Sequence, residues 1–560
     1  MRERAFDYAA DAASIAGLVA AGAKMSDVIR QMGWTRYRTR QAFLAINEGL
    51  TGQTASPGSE PPAPKEKRKP PRISEIPVID GDLQPGIVHR FIISGAQDDT
   101  PVFEPFLRNL ESYAEFLGAH ILIGGYTYQL GLFEDHAAEA NVYDAAVAPY
   151  ICHDRVQITP DLLYLGSANV LPTTANPLNG WTTANRGGHV VIPHSRIALE
   201  SIPRMQAQPP RYATTTGTVT KPNYTARAAG QKSLFHHTYG ALVVEIDTDG
   251  EVFMRHVVAD EKGRFQDLDV YVVDGCCHPG RRVLGVTWGD VHFEQMDETV
   301  AEASWGYGVS QAAIVRHDSL LDTLMPEIQF LHDSLDFRRR NHHDAHDPHV
   351  RAAIAAHGSA SVEQEVAEAA HFINAVTRPW CRTVMVESNH DAALSRWLKN
   401  PEGQADPGNA YYWHELNAAW HRAIRHGEDG FNPVEEAMRR GGLADEVEFV
   451  RSGGTYTVQG VECGLHGDLG VGGSRGSPNQ YRRMGPKVTS GHTHTPKIVD
   501  GVYVAGVSAR LEQGYNKGPT TWAHAHVVLY RSGKRALICM SADGRHRAIG
   551  DQQAAIALAA

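Results

Sequence analysis

The first fifty residues repeat apolar positions with a helical period. Ala9, Ala13, Ile15, Leu18 and Val19 recur at that spacing, and Gly22 is placed to end the helix. Ser26 is expected to cap a second short helix over 27–32, Gly33 to make a turn, and Thr35 to cap a third helix. The third helix carries Arg36, Arg38, Arg40 and Gln41 ahead of the apolar Phe43-Leu44-Ala45-Ile46. A helix-turn-helix that lays its second element in a DNA major groove has this pattern. A packing or oligomerisation module with a basic face has it equally, so residues 1–50 form a helical domain with two readings. The periodicity then stops. Residues 51–75 interleave Pro57, Pro61, Pro62, Pro64, Pro70 and Pro71 with Lys65, Lys67, Arg68, Lys69 and Arg72. Proline fixes φ and removes donors, which predicts a semi-rigid basic linker.

From 76 to 283 the texture is α/β. Runs rich in β-branched residues predict strands over 90–94, 120–124, 190–192, 240–246, 252–258 and 268–273, with a helix over 105–117. A strand–helix–strand opening predicts a parallel pair. Gly95-Ala96-Gln97-Asp98-Asp99 follows the first strand, where open sheets hold ligands, but no nucleotide fingerprint accompanies it. The sequence assigns this module no role.

Composition narrows the classes. The 560 residues are 42% hydrophobic and 21% charged, which excludes global disorder. The net charge of −11 argues against a uniformly basic coat while leaving room for local basic patches. Six cysteines without C-x-x-C spacing exclude a disulfide framework and a thiolate zinc site, and Cys276-Cys277 is expected in packed core. Asp7 and Asp11 interrupt the apolar stretch that a signal peptide needs, and no run reaches the roughly 18–20 apolar residues of a membrane span. A cytoplasmic protein with no membrane span is expected. The 29 histidines turn attention to imidazole and carboxylate metal sites.

The chemistry concentrates after residue 284. Strand-like 283–288 runs into Gly289-Asp290-Val291-His292, and 328–331 ends in His332-Asp333-Ser334-Leu335-Asp336. The 382–386 run ends in Glu387-Ser388-Asn389-His390-Asp391. Two further blocks are Gly464-Leu465-His466-Gly467-Asp468 and Gly491-His492-Thr493-His494. Ligands at strand ends are how an α/β scaffold gathers distant residues at one sheet edge. Oxygen and imidazole donors without thiolate suit Mn²⁺, Fe or Zn²⁺.

Asp-x-His, Asp-x-x-Asp, Asn-His-Asp, a lone His and Gly-His-Thr-His, in this order, resemble the calcineurin-like metallophosphoesterase superfamily. The resemblance implies a metallophosphoesterase β-sandwich flanked by helices over 284–548, followed by a tail at 549–560. It implies two divalent ions, with Mn²⁺ favoured. Asp290, His292 and His494 would hold one, Asn389, His466 and His492 the other, and Asp333 would bridge them. His390 would be the catalytic histidine, with Asp391 orienting it or simply neighbouring it. Two departures stand out. His332 replaces the usual Gly of the second block, and Phe337 separates the second Asp from Arg338-Arg339-Arg340, so no arginine is assigned to clamp phosphate.

The His-rich 341–349 stretch reads as a solvated loop or a third metal site. Gly470–Gly476 lacks the Lys-Ser/Thr ending of a nucleotide loop and is expected to be a rim loop beside His466. The Gly-rich stretch from His466 to Gly476, followed by the final pair His492 and His494, also resembles the pre-early DNA-transfer proteins of large tailed phages, and the layout of a helical domain and a basic tether ahead of the phosphoesterase supports a DNA substrate. The leading reading is a metal-dependent phosphodiesterase acting on DNA, a nuclease in the infected host's cytoplasm, with DNA as partner and a homo-oligomer left open. A phosphatase or small-molecule phosphodiesterase, and a DNA-binding scaffold with a vestigial site, are the alternatives.

Overall fold

The computed structural model describes residues 8–32, 36–47, 83, 86–128, 143–341, 347–356, 358 and 360–549. Residues Met1–Arg68 and Lys69–Ala560 form two compact units. In the first, helices Tyr8–Ala20, Met25–Met32 and Arg36–Asn47 enclose Ile15, Val28 and Ala42. Gly22 ends the first helix in the left-handed region (φ 84°), where the absence of Cβ removes the steric cost. The second helix starts at Met25, so Ser26 lies inside it. The side chain serving its start is Asp27, which accepts from the Lys24 N–H at 3.0 Å. The turn at Gly33, the cap at Thr35, the 51–75 linker and the tail beyond Ile549 lie outside the described residues.

The second unit is mixed α/β. Strands His89–Gln97 and His120–Tyr126 pair in parallel, as their connecting helix Glu104–Leu117 requires, and Gly240–Ile246 and Val252–Val258 continue that sheet antiparallel. Edge strand Cys276–His278 alternates faces, which leaves Cys276 exposed and Cys277 half-buried rather than in the core. Among the described residues, no helix is long and apolar enough to cross a membrane.

Two larger sheets position the site. A six-stranded sheet runs Glu448–Val450, Arg382–Val386, Ile328–His332, Gly285–Thr287, Ala525–Leu529, Arg535–Cys539. Its first four strands are all parallel, so their C-terminal ends open on one edge. Alternation divides the faces. Ile328, Phe330, Val384 and Val386 pack one way, onto Val461 and Cys463, while Leu331 and Met385 join a helical core with Phe372, Leu394 and Leu416.

Val461 belongs to a ten-stranded sheet built from both halves of the unit. Lys497–Val499 pairs antiparallel with Leu199–Ile202, so strands from before and after residue 283 share one hydrogen-bonded ladder. In this sheet Val461–Glu462 and Lys487–Ser490 are parallel, and their ends lead to His466 and His492.

Candidate metal centre

The strand ends of both sheets deliver their side chains to one buried place. Ligand atoms of Asp290, His292, Asp333 and His494 all lie within 4.8 Å of one another, and all four residues are buried. Asp290, His332 and His466 form a second such group, and His292, Asp336 and His390 a third. Asn389 Oδ1 lies 3.2 Å from His466 Nε2, which itself lies 3.4 Å from Asp333 Oδ2. His492 stands at the margin. Its backbone N–H donates to Asp290 Oδ2 at 2.7 Å and its ring lies 5.2 Å from that of His466, but its nitrogens join none of the three groups.

The local backbone serves this arrangement. His292, Asp333, His492 and His494 all have positive φ (42°, 48°, 71° and 55°). For non-glycine residues each costs on the order of 1–3 kcal/mol and persists only where the surroundings impose it. Gly491 is required by close approach, because a Cβ there would stand 2.0 Å from Asp290 Oδ1.

The electrostatics are unbalanced as the chain stands. Asp290 Oδ1, both Asp333 oxygens, both His332 nitrogens and the Nδ1 atoms of His466 and His494 are buried without a hydrogen-bond partner. Burial, and then the Asp333 carboxylate, push the Asp290 carboxyl well above the usual range. Burial also disfavours the Asp333 charge, but His466 and His292 outweigh it and hold that carboxyl well below its usual value. Burial drops the His332 imidazole to about 4. His292 Nε2 and His494 Nε2 are 2.9 Å apart, a separation at which two imidazole lone pairs need a proton or cation between them. Carboxylate oxygens and imidazole nitrogens left unpaired at this depth fit divalent cations, whose charge would offset the burial cost. These buried groups can hold a metal ion.

His390 is half-buried. Burial works against its charged form, yet Asp333 and Asp336 prevail and raise its pKa. The carboxylate facing it is that of Asp336, at 3.4 Å from Nδ1. The Asp391 carboxylate meets backbone donors rather than the His390 ring. It is fully buried and accepts from the Leu335 and Ser388 N–H groups at 2.8 and 2.9 Å, tying the second block to the third. Burial, and then Asp333, raise its carboxyl to about 7.

Sequence reasoning assigned no role to Asp336 or His332. The Asp-x-x-Asp spacing was the available signal for Asp336, whereas His332 was visible only as a departure from the pattern. Trp522 was also missed. Its ring packs edge-on 4.2 Å from that of His494, and Tyr515 packs 5.7 Å from Trp522. The His-rich loop is outside the description between 342 and 346. Gly470–Gly476 is tied down by Gly476 N–H to Asp468 O (2.7 Å) and Tyr481 O–H to Leu469 O (2.7 Å).

No protein-family model matches the chain, and no solved structure matches it. Protein A1 of Escherichia phage T5 is 39% identical over 460 residues, which cover 80% of this chain and 81% of that protein. With that identity over that share of both chains, the chain belongs to the phage protein family that includes Protein A1 of Escherichia phage T5.

Proposed function

We propose that the chain is a two-metal phosphodiesterase acting on DNA, with a metallophosphoesterase sandwich at 284–548 completed by the strands it shares with the preceding module. The observation that carries this reading is the convergence of unpartnered buried Asp and His atoms from the strand ends of two facing sheets. Asp290, His292 and His494 are assigned to one ion, Asn389, His466 and His492 to the other, and Asp333 to both. Bound there, two divalent ions, Mn²⁺ by preference and Fe or Zn²⁺ as alternatives, would supply an activated hydroxide and offset charge on phosphate oxygens.

The protein's own groups do the remainder. The His492 N–H fixes one oxygen of Asp290 and leaves Oδ1 free. Asp391 holds the Asn389-His390 turn against the Asp333 loop through two backbone N–H groups. Asp336 favours the protonated form of His390, which is partly exposed and would deliver its proton to the leaving oxygen. The resemblance to phage DNA-transfer proteins, together with the relation to a phage protein, supports DNA as the substrate and the infected host's cytoplasm as the location.

The test is incubation of the purified chain with plasmid DNA, linear DNA and a chromogenic phosphodiester, with Mn²⁺ and with EDTA. Manganese-dependent DNA cleavage that EDTA stops is expected. Hydrolysis of the small ester alone would assign a phosphatase or small-molecule phosphodiesterase, and no hydrolysis of either would assign a scaffold.

A further inference from the structure

Beside the metal centre lies a cleft of about 460 Å³, walled by the 3₁₀ turn Arg338–Arg340, helix Pro348–Ala356, helix Ala392–Lys399 and the turn Pro401–Ala405. Five arginines line it, against only Glu402 and Asp406. Two of the five are committed elsewhere. Arg339 is paired to Glu294 and Glu368 at 2.7 and 2.6 Å, and Arg340 takes Asp406. Arg338, Arg351 and Arg396 are exposed and face no carboxylate at ion-pair distance among the described residues. In a chain of net charge −11, three such guanidinium groups around one concavity are a local inversion of sign.

Two of its arginines adjoin the proposed reacting edge. Arg396 Nη2 donates to the backbone carbonyl of Asn389 at 2.9 Å, next to His390. Arg338 follows Asp336, the carboxylate against His390, by two residues. Trp397 is buried beneath, which fixes the helix carrying Arg396. Guanidinium forks suit phosphate oxygens in geometry and charge, and a mononucleotide-sized ester held at the metal centre would leave this cleft unused.

We propose that the cleft of Arg338, Arg351 and Arg396 receives backbone phosphates of the DNA strand flanking the one cleaved, so that the substrate is a polynucleotide rather than a small phosphodiester. The inference rests on the nuclease reading above and goes beyond it by assigning the path of the strand.

The test separates the two. Binding of a duplex oligonucleotide to the full-length protein is measured by fluorescence anisotropy in EDTA, without turnover, across a salt series. The comparison is wild type, the double variant Arg338→Gln/Arg351→Gln and the charge-keeping Arg338→Lys/Arg351→Lys. Each lost phosphate contact lowers the slope of log affinity against log salt by about 0.9. The Gln variant should therefore lose about 1.8 of slope, so that its affinity deficit shrinks roughly tenfold between about 50 and 200 mM salt. The Lys variant should keep the wild-type slope, a result that a merely structural role for the arginines would not give. An unchanged slope in the Gln variant, or a wild type that binds no duplex, overturns the inference. Wild-type cleavage of the same duplex with Mn²⁺ is scored separately. Cleavage with an unchanged slope would sink the cleft and spare the nuclease reading, whereas a lost slope without cleavage would do the reverse.

Discussion

Asp333→Asn tests the proposed centre with an almost isosteric change. Asp333 is 1% exposed, and its Oδ2 lies 3.3 Å from His292 Nε2 and 3.4 Å from His466 Nε2, so the substitution keeps the shape of the side chain and removes the charge those imidazoles face. Its ligand oxygen lies within 4.8 Å of that of Asp290. At that separation and an effective dielectric near 20, two ionised carboxylates would repel by about 3.5 kcal/mol, so Asp290 takes up a proton instead and little repulsion remains for the substitution to relieve. Without metal, the variant loses the attraction between the Asp333 carboxylate and His292 and His466 and should therefore unfold below the wild-type temperature. With metal the gap widens. A ligand at a hundred times its dissociation constant stabilises a folded protein by about 2.7 kcal/mol, and the variant should forfeit most of that gain. Thermal unfolding in EDTA and in Mn²⁺, alongside DNA hydrolysis, reads both effects. The rate loss should exceed the roughly 10–100-fold seen when groups behind a metal ligand are removed. If Asp333→Asn gains as much from Mn²⁺ as wild type and cleaves DNA at the same rate, Asp333 bridges nothing.

The neighbouring positions should divide metal binding from chemistry. His390→Ala should keep two metals by elemental analysis but lose turnover, most for esters with poor leaving groups, whereas raising metal concentration should partly rescue Asn389→Ala. A metal lost from His390→Ala would contradict that division. Gly491→Ala drives a Cβ to 2.0 Å from Asp290 Oδ1, so metal affinity should fall while the far-ultraviolet circular dichroism spectrum persists. Away from the site, Arg255 is buried against Asp267 at 2.7 Å and Glu245 at 3.2 Å. Arg255→Met takes the charge partner from Asp267, which keeps the Tyr113 hydroxyl, and one of two from Glu245, which keeps Arg90, and should cost roughly 3–5 kcal/mol in denaturant unfolding, with a neutral result refuting the pairing. Deleting 1–72 should weaken DNA binding and its salt dependence while a small phosphodiester is still cleaved. Unchanged DNA affinity would return the helical domain to a packing or assembly role.

Much of this protein is visible in its linear order, because short-range rules write directly into sequence. Runs rich in β-branched residues located strands His120–Tyr126, Gly240–Ile246 and Val252–Val258, and a helical period with Gly22 located the first helix, since side-chain branching and backbone sterics act within a few residues. The Asp and His blocks that meet in the buried centre were equally legible, because each sits within a few residues of a strand's end. What linear order does not carry is which ends meet. Asp336 faces His390 across 54 residues, and His466 meets Asn389 across 77, only because parallel strands share one edge and a second sheet brings its own ends to it. The pairing of Leu199–Ile202 with Lys497–Val499 is likewise unwritten in either segment, since a backbone ladder is blind to side-chain identity. The arginine cleft follows the same logic. Arg338, Arg351 and Arg396 become one feature when three separate elements converge, and their charges act on a phosphate through that shared space.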